Sequence, residues 1–405
     1  MSISELLFLL VLGTLPLQLG KFFFFEHSYV LGIPIDYRAV TIYISDIATI
    51  TFLASTIYQN RKNLQSILVT YKDYVLAIGV FNLYLALTAI FFSVSPGASF
   101  FFTLKFFIFS LLSIAAASIL GKKTVREKAA IVLAVSIFWQ SLVVVGQFLR
   151  QGSLGLQILG ERTFDASTVQ IAHSQIFGQQ FLRPYGTFPH PNVAAAFLVF
   201  SLLILAGSPK GRLQIKKIAL LAIAALATFL TFSKSAFVVF ALGLALLQKG
   251  LSKLILLATA ALLFGFFIVS QLSIYQIASI AERLLLSQAA LDIALENMVF
   301  GVGANNFILE LGRLDLFSLA ETRLLQPVHN VFLLILAENG IVGLMLFTAF
   351  LLVVSKYLNS KIKIVVFLGL LFYLSVDHFL WTLQQGQLML WLILAYIIHR
   401  EKPAI

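Results

Sequence analysis

The chain of 405 residues has no cysteine and very little charge, and both shortages restrict what it can be. Without cysteine it can form neither a disulfide nor a thiolate metal site, so cysteine usage says nothing about the redox compartment. Charged residues make up 11% of the sequence, against about 25% in an ordinary soluble domain. Hydrophobic residues make up 60% and the mean hydropathy is +0.98, which excludes a water-soluble fold.

The net charge of +11 does not indicate a nucleic-acid-binding surface. Lysine and arginine fall in short clusters between apolar runs, and no basic stripe interleaves with aromatic residues. This distribution is typical of a polytopic membrane protein, in which basic clusters mark the cytoplasmic loops. The first apolar run, Ile3 to Leu19, has no basic residues before it and no small-residue cleavage site, so we predict a retained helix.

Apolar runs of about 20 residues predict an all-α integral membrane fold with about 12 transmembrane helices. Joining two of the runs across Ser233–Lys234–Ser235 would give one helix fewer. Positive-inside counting favours the larger number, because it places most lysines and arginines in cytoplasmic loops. The predicted spans are 3–20, 39–58, 74–93, 98–120, 128–149, 191–207, 217–232, 235–248, 253–271, 330–355, 362–377 and 384–399.

This topology places both termini in the cytoplasm and leaves two long outer loops, 150–190 and 272–329. Loops of this length in a compact protein are usually functional or disordered. In the second loop, apolar and charged residues alternate at helical spacing between Ile280 and Glu296, which predicts amphipathic helices at the membrane interface. We predict a single polytopic membrane domain over residues 1–405.

Outer-side polar residues begin with the turn-rich run from Arg183 to Asn192, which leads into the sixth span. Pro191 suits the first turn of that helix, and a loop followed by a helix start also accounts for Pro189 and Asn192. Arg183 needs another reason, because a basic residue on the outer side runs against the topological bias.

Two more outer cations stand near apolar spans. Lys234, between two serines at a tight hairpin, either reaches the lipid headgroups or binds an anion. Arg283 opens the amphipathic segment, which ends in Gly301-Val302-Gly303. We interpret that segment end as a turn, because a lone Gly-x-Gly is weak evidence for a nucleotide and no Walker-type lysine motif is present.

His329 and Asn330 stand at the outer mouth of the tenth span and are followed, after nine residues, by Gly340-Ile341-Val342-Gly343. Asn330 can cap the helix, and Gly340 and Gly343 allow close helix packing. The imidazole of His329 can accept a proton near neutral pH. We therefore treat His329 as the candidate general base.

Cations and a histidine on one outer face suit transfer from a diphosphate-linked donor. Arg183, Lys234 and Arg283 could neutralise a diphosphate leaving group while His329 takes a proton from an attacking hydroxyl. The outer acids are scattered and the six histidines show no ligand spacing, so we predict neither a metal site nor a cofactor.

Ionisable residues also fall within or beside the spans. Asp46 and Lys105 lie at similar depths in the second and fourth spans, which predicts a structural ion pair, with a proton or ion pathway as the alternative. Glu338 in the tenth span, and Asp377 and His378 at the outer end of the eleventh, could line the same cavity, but the sequence assigns them no role.

Four segments together resemble the O-antigen ligase and polymerase superfamily over about residues 120–355. They are the Arg183–Asn192 run, the Thr231–Ser235 turn, the Arg283 segment and the His329 motif. The resemblance implies a metal-independent glycosyltransferase with a GT-C-type bundle in the bacterial inner (plasma) membrane. Such an enzyme takes glycan from undecaprenyl diphosphate on the periplasmic (extracytoplasmic) face and passes it to a hydroxyl of a lipid-anchored or glycan acceptor.

The resemblance also implies roles for individual residues. Lys234 and Arg283 would hold the donor diphosphate, and His329 would activate the acceptor. Lys234 stands where the family more often has arginine, so either the donor geometry differs or Arg183 shares the task. Supporting positions are His190, Asn192, Asn330, Gly340 and Gly343.

Two alternatives stay open at this point. The sequence does not distinguish a ligase from a polysaccharide polymerase, because the two differ only in the acceptor. A membrane transporter of a small anion such as bicarbonate is the competing class, and it predicts paired discontinuous helices with charged residues near the midplane.

Overall fold

The computed structural model describes residues 1–176, 178–207, 214–247, 274–314 and 324–401, and most of these are α-helical. The predicted span 253–271 lies outside the described residues. In chain order the helices α1 to α15 are Ile3–Thr14, Ile44–Asn60, Leu64–Thr70, Lys72–Phe91, Pro96–Leu120, Lys123–Arg150, Pro191–Ala206, Gln214–Leu230, Lys234–Leu247, Ile274–Glu296, Phe307–Leu311, Val331–Ser355, Lys361–Val376, Phe379–Thr382 and Gln384–Ile398.

Among the described residues, four helices are long and apolar enough to cross a membrane: α4, α5, α6 and α12. Five shorter apolar helices accompany them, namely Ile3–Thr14, Pro191–Ala206, Ala219–Leu230, Lys234–Leu247 and Gln384–Ile398. The chain is thus a largely helical, multi-pass membrane protein. The number of about 12 spans stays a prediction.

Short strands in the loops add to the helical bundle and were not part of the all-α expectation. Within the part of the chain that the structure describes, they form three two-stranded antiparallel sheets. β1 (Gly20–Phe23) pairs with β4 (Val40–Tyr43), β2 (Tyr29–Val30) with β3 (Ile33–Pro34), and β5 (His173–Ile176) with β6 (Gln179–Leu182). The pairing of β4 explains why α2 begins at Ile44, some residues later than the predicted span 39–58.

The apolar stretch around Ser233 is broken, as the twelve-span reading requires. α8 ends at Leu230 and α9 begins at Lys234, and between them Phe232 adopts a left-handed backbone conformation with φ 54°. A non-glycine residue with positive φ cannot continue an α-helix. The two segments are therefore separate helices.

Aromatic side chains fill the centre of the bundle. The ring of Phe106 lies 5.1 Å from that of Trp381 and 4.9 Å from that of Trp391, both in edge-on geometry, and Phe347 packs on Trp381 at 5.4 Å. Edge-to-face contacts at this separation stabilise aromatic pairs beyond their buried area. These contacts join α5, α12, α14 and α15, and the short helix α14 is held between α5 and α12.

Polar contacts at one end of the bundle join Glu5 and Glu401 to the region where α6 begins. Lys122 contacts Glu5 at 2.7 Å, and Arg126 contacts Glu401 at 3.2 Å. Lys122 lies in the turn between α5 and α6, and Arg126 lies in the first turn of α6, so Glu5 and Glu401 are at the same end of the described structure as that turn. This agrees with the predicted topology, in which these residues share one side of the membrane.

Asp46 and Lys105 form the predicted ion pair, with Lys105 Nζ 3.3 Å from Asp46 Oδ2. Gln384 completes the cluster, because its amide accepts from Lys105 Nζ at 2.6 Å and donates to Asp46 Oδ1 at 2.7 Å. Asp46 also accepts from the backbone N–H of Tyr43 at the start of α2. The aspartate is therefore both an ion-pair partner and a helix cap, which a lysine at the same position could not be.

Helix α12 is interrupted at Gly340, whose φ is 65°. The loop that follows α10 lies against this break: Val302 N–H donates to Ala337 O, and Gly303 N–H donates to Glu338 O at 2.7 Å. In return, Ile341 N–H donates to a carbonyl of that loop. The Gly-x-Gly segment is thus a turn, as interpreted, and it pairs backbone groups that the break leaves without helical partners.

Candidate active site

The imidazole of His329 lies beside the carboxylate of Asp377. Its Nδ1 is 3.5 Å from Asp377 Oδ1, an ion-pair distance that is long for a hydrogen bond. His329 immediately precedes the N-cap of α12, and Asp377 follows the last residue of α13. The two helix ends therefore bring together residues from the tenth and eleventh predicted spans.

The carboxylate of Asp377 is buried and firmly held. Its Oδ2 accepts from Asn192 Nδ2 at 2.8 Å, and its Oδ1 accepts from the backbone N–H of His378 at 2.8 Å. Burial alone would raise the pKa of Asp377, but contact with the imidazole of His329 outweighs it and holds the pKa well below its ordinary value. Asp377 is thus an oriented anion behind the imidazole.

Arg183 braces this arrangement from the opposite side of Asn192. Its guanidinium donates to Asn192 Oδ1 at 2.7 Å and to the backbone carbonyl of Thr231 at 2.8 Å. Burial lowers the pKa of Arg183 to about 10, so the group stays charged at neutral pH. A continuous set of contacts runs from Thr231 through Arg183, Asn192 and Asp377 to His329.

Arg283 and Lys234 lie next to this set. Arg283 in α10 donates to the carbonyl of Val376 at 3.3 Å, one residue before Asp377. Lys234 is the first residue of α9, and its ammonium is within electrostatic range of both Arg183 and Arg283. The structure therefore brings all three sequence-predicted cations to the neighbourhood of His329.

Two further histidines border the group, and both are neutral at ordinary pH. Burial, reinforced by the charge of Arg183, lowers the pKa of His190 to about 3. Burial also lowers the pKa of His378 to about 3, with His329 adding to the shift. His190 caps α7 by accepting from the N–H of Asn192, and His378 Nδ1 lies 2.7 Å from the hydroxyl oxygen of Thr382.

A large cavity of about 1310 Å³ opens in front of His329. His329, Asp377, His378 and His190 form part of its wall, and residues of the outer loops and of α2, α5, α10, α14 and α15 form the rest. Among the described residues, Arg183, Lys234 and Arg283 do not line this cavity. The histidine–aspartate pair therefore separates a roomy space on one side from the cations on the other.

The remaining predicted positions support the frame. Asn330 caps α12 by accepting from Leu333 N–H at 3.0 Å. At Gly340 a Cβ would lie 2.2 Å from Val299 O, and at Gly343 it would lie 3.0 Å from the ring of Tyr84. Both glycines therefore allow the close packing that the sequence suggests. Glu338 does not border the cavity among the described residues, and instead accepts from Phe307 N–H at 3.1 Å.

His329, Asp377 and His378 also form a group with possible metal ligands within 4.8 Å of one another. Histidine spacing in the sequence gives no sign of this group, because tertiary contacts assemble it. Two imidazoles and a carboxylate can hold a transition metal. The positive charges of Arg183 and Arg283 nearby would repel a metal cation bound by this group.

Sequence reasoning leaves Asp377 and His378 without a role, whereas they are central in the structure. The one available signal is an acid and a histidine at the outer end of an apolar span, where ionisable groups are often functional. Tyr37 is a further neighbour of this group that the sequence did not indicate. Its ring packs edge-on against the ring of His378, with the ring centres 5.6 Å apart.

Comparison with known proteins gives one family. Residues 219–348 match the model of a family described as O-antigen ligase. No curated protein matches the chain significantly. The matched segment contains Lys234, Arg283, His329, Gly340 and Gly343. This match covers about a third of the chain and supports the resemblance already drawn from the motifs.

Proposed function

We propose that the protein transfers glycan from undecaprenyl diphosphate to an acceptor hydroxyl, on the periplasmic or extracytoplasmic face of the bacterial inner membrane. The observation that carries the proposal is the contact between His329 and Asp377, with three cations beside it. The family match over residues 219–348 supports a glycan-transferring role. The donor, the face and the catalytic residues are our inference from this geometry.

His329 is the general base of the proposed reaction. In the proposed mechanism Nδ1, which faces the Asp377 carboxylate, carries the ring proton, and Nε2 accepts one from the acceptor. The acceptor oxygen forms a bond to the anomeric carbon of the donor sugar while the bond from that carbon to the diphosphate oxygen breaks. The hydroxyl proton passes to Nε2, and the leaving group departs as undecaprenyl diphosphate.

Arg283 and Lys234 stabilise the leaving group. Negative charge grows on the diphosphate as the glycosidic bond breaks, and preorganised cations in a partly buried site stabilise it strongly. Arginine can grip two phosphate oxygens at once, whereas lysine acts as a point charge. Arg183 is committed to Asn192 and Thr231, so we assign it a positioning role and a long-range electrostatic one.

The two flanks of the His329–Asp377 pair suit different substrates. The cations suit the donor diphosphate, and the cavity of about 1310 Å³ is roomy enough for a bulky acceptor. A ligase would admit a lipid-anchored glycan there, and a polymerase another growing chain.

The decisive experiment uses purified protein with a lipid-linked glycan donor and a glycan acceptor. His329→Ala should lower transfer by about 100-fold or more while the protein stays folded in the membrane. His173→Ala, in the β5–β6 hairpin, serves as the matched control and should keep normal transfer. Full activity of His329→Ala would rule out the proposed base.

Metal independence is part of the proposal. Treatment with a chelator should leave transfer unchanged, because cations of the protein take the place of a metal at the leaving group. Loss of activity that zinc or manganese restores would instead assign the His329–Asp377–His378 group to a metal.

Among the described residues, the break at Gly340 favours the transporter alternative, since discontinuous helices are frequent in transporters. Here the loop after α10 fills the break with backbone hydrogen bonds. Accumulation of a small anion by liposomes that carry the protein, without glycan transfer, would favour the transporter.

A further inference from the structure

A second cavity, of about 630 Å³, lies at the end of the bundle opposite the candidate active site. It is bounded by α1, α6, α7, α13 and α15. Gln384, at the start of α15, borders the first cavity, whereas His399, just after its end, borders the second. At about 1.5 Å per residue, the two positions are separated by roughly 22 Å along the helix.

The walls of the second cavity are apolar. They are formed mainly by leucine, phenylalanine, isoleucine and alanine side chains, among them Phe8, Leu12, Leu133, Phe197, Phe200 and Ile393. Its volume falls within the range of about 300–1,000 Å³ that is usual for small-molecule sites. A free inorganic anion would leave these walls unfilled, so the occupant must have an apolar part.

The mouth of the cavity is basic. Lys363, Arg126 and Arg400 border it, together with one carboxylate, that of Glu401. Lys363 is only 5% exposed, and its ammonium donates to the backbone carbonyl of His399 at 2.9 Å. Burial lowers the pKa of His399 to about 4, so that imidazole adds no charge. The mouth thus carries a net positive charge next to an apolar interior.

We propose that the second cavity binds an anionic glycerophospholipid. Its acyl chain lies between α1, α6, α7 and α15, and its phosphate contacts Lys363 and Arg126. An apolar interior with a cationic mouth matches a phosphate headgroup joined to a hydrocarbon chain, as basic pockets between membrane helices do elsewhere. The contact between Glu401 and Arg126 at 3.2 Å competes with the headgroup for the guanidinium.

Opposite effects of two substitutions test the proposal. The affinity of purified protein for phosphatidylglycerol in detergent, followed by native mass spectrometry, should fall about fivefold in Lys363→Gln, because one cation–phosphate contact is lost. It should rise in Glu401→Gln, because Arg126 is released and a negative charge at the mouth is removed. A purely structural role for these residues would not give changes of opposite sign.

Matched controls accompany both variants. Lys361→Gln changes an exposed lysine two residues from Lys363 that does not border the cavity, and it should leave the affinity unchanged. If Lys363→Gln fails to fold, Ala130→Phe fills the cavity from α6, with the exposed neighbour Ile131→Phe as its control. Ala130→Phe should abolish binding and Ile131→Phe should preserve it.

Two comparisons identify the ligand. Phosphatidylglycerol should bind more tightly than phosphatidylcholine, and glycerol phosphate alone should not bind. Equal binding of the two lipids in the unchanged protein, equal binding of glycerol phosphate, or a decrease in Glu401→Gln would each overturn the proposal. Because no residue of the second cavity takes part in transfer, these results are independent of the proposed enzymatic activity.

Discussion

Asn192 donates a hydrogen bond to Asp377 at 2.8 Å although the two residues are 185 positions apart. The contact joins the first turn of α7 to the end of α13. It also links Arg183, which grips the other end of the Asn192 amide, to the carboxylate that faces His329. The guanidinium of Arg183 therefore helps to orient the candidate base, His329, through Asn192 and Asp377.

Replacement of Asp377 by asparagine should lower the turnover number of glycan transfer by about 100-fold, with a smaller effect on the KM for the donor. The amide keeps the shape of the side chain but no longer provides the negative charge that holds His329 in one tautomer. Steady-state kinetics of the purified variant would show this. Asp292→Asn, on a partly exposed face of α10, is the control, and comparable turnover in the two variants would contradict a positioning role.

The substitution Arg183→Lys should destabilise the protein by about 2 kcal/mol, since hydrogen bonds from charged groups contribute roughly 1.5–3 kcal/mol. A lysine cannot reach both Thr231 O and Asn192 Oδ1 with one planar group. Thermal unfolding in detergent measures the change. Arg150→Lys, at the exposed end of α6, should leave the midpoint unaltered. An unchanged midpoint in Arg183→Lys would mean that this bridge does not stabilise the fold.

Alanine at Gly340 should be severely destabilising, by about 3 kcal/mol or more. The residue has positive φ, which costs about 1–3 kcal/mol for a side chain, and the new Cβ would lie 2.2 Å from Val299 O. Gly79→Ala in α4 is the matched control, because nothing lies within 4 Å of its Cβ and alanine favours a helix by up to about 1 kcal/mol. Equal thermal midpoints for the two variants would refute the close approach.

Stability should fall as the pH is lowered from about 6.5 towards 4. His190 and His378 have pKa values of about 3 in the folded protein against 6.5 ordinarily, so in this range the unfolded chain binds protons that the folded chain does not. The free energy of unfolding therefore has its full value above pH 6.5 and decreases on acidification. His378→Gln should flatten the dependence of the thermal midpoint on pH, whereas His173→Gln should not, and parallel curves for all three proteins would contradict the assignment.

A double-mutant cycle on Asp46 and Lys105 should give a coupling energy of about 1–3 kcal/mol. The ion pair is confirmed at 3.3 Å, but exchanging the two residues should not restore stability, because lysine at position 46 cannot accept from Tyr43 N–H or Gln384 Nε2. Unfolding of Asp46→Asn, Lys105→Met and the double variant provides the cycle. A coupling energy near zero would show that Gln384, rather than the pair, organises the cluster.

Sequence alone determined the class of the protein and much of its local structure. A high apolar content with clustered basic residues requires a membrane bundle, and helix-start signals such as Pro191 and Asn330 lie where α7 and α12 begin. These features depend on short-range chemistry, which neighbouring residues reveal. The motif around His329 pointed to the candidate base for the same reason.

Only the tertiary structure decided which residues surround that base. Asp377 and Asn192 are far apart in sequence, so no local pattern could pair them. The break in α12 likewise depends on a loop from elsewhere in the chain that satisfies its backbone. The sequence specifies the chemistry of each side chain. The charged groups converge on one site only because the packed helices bury them together.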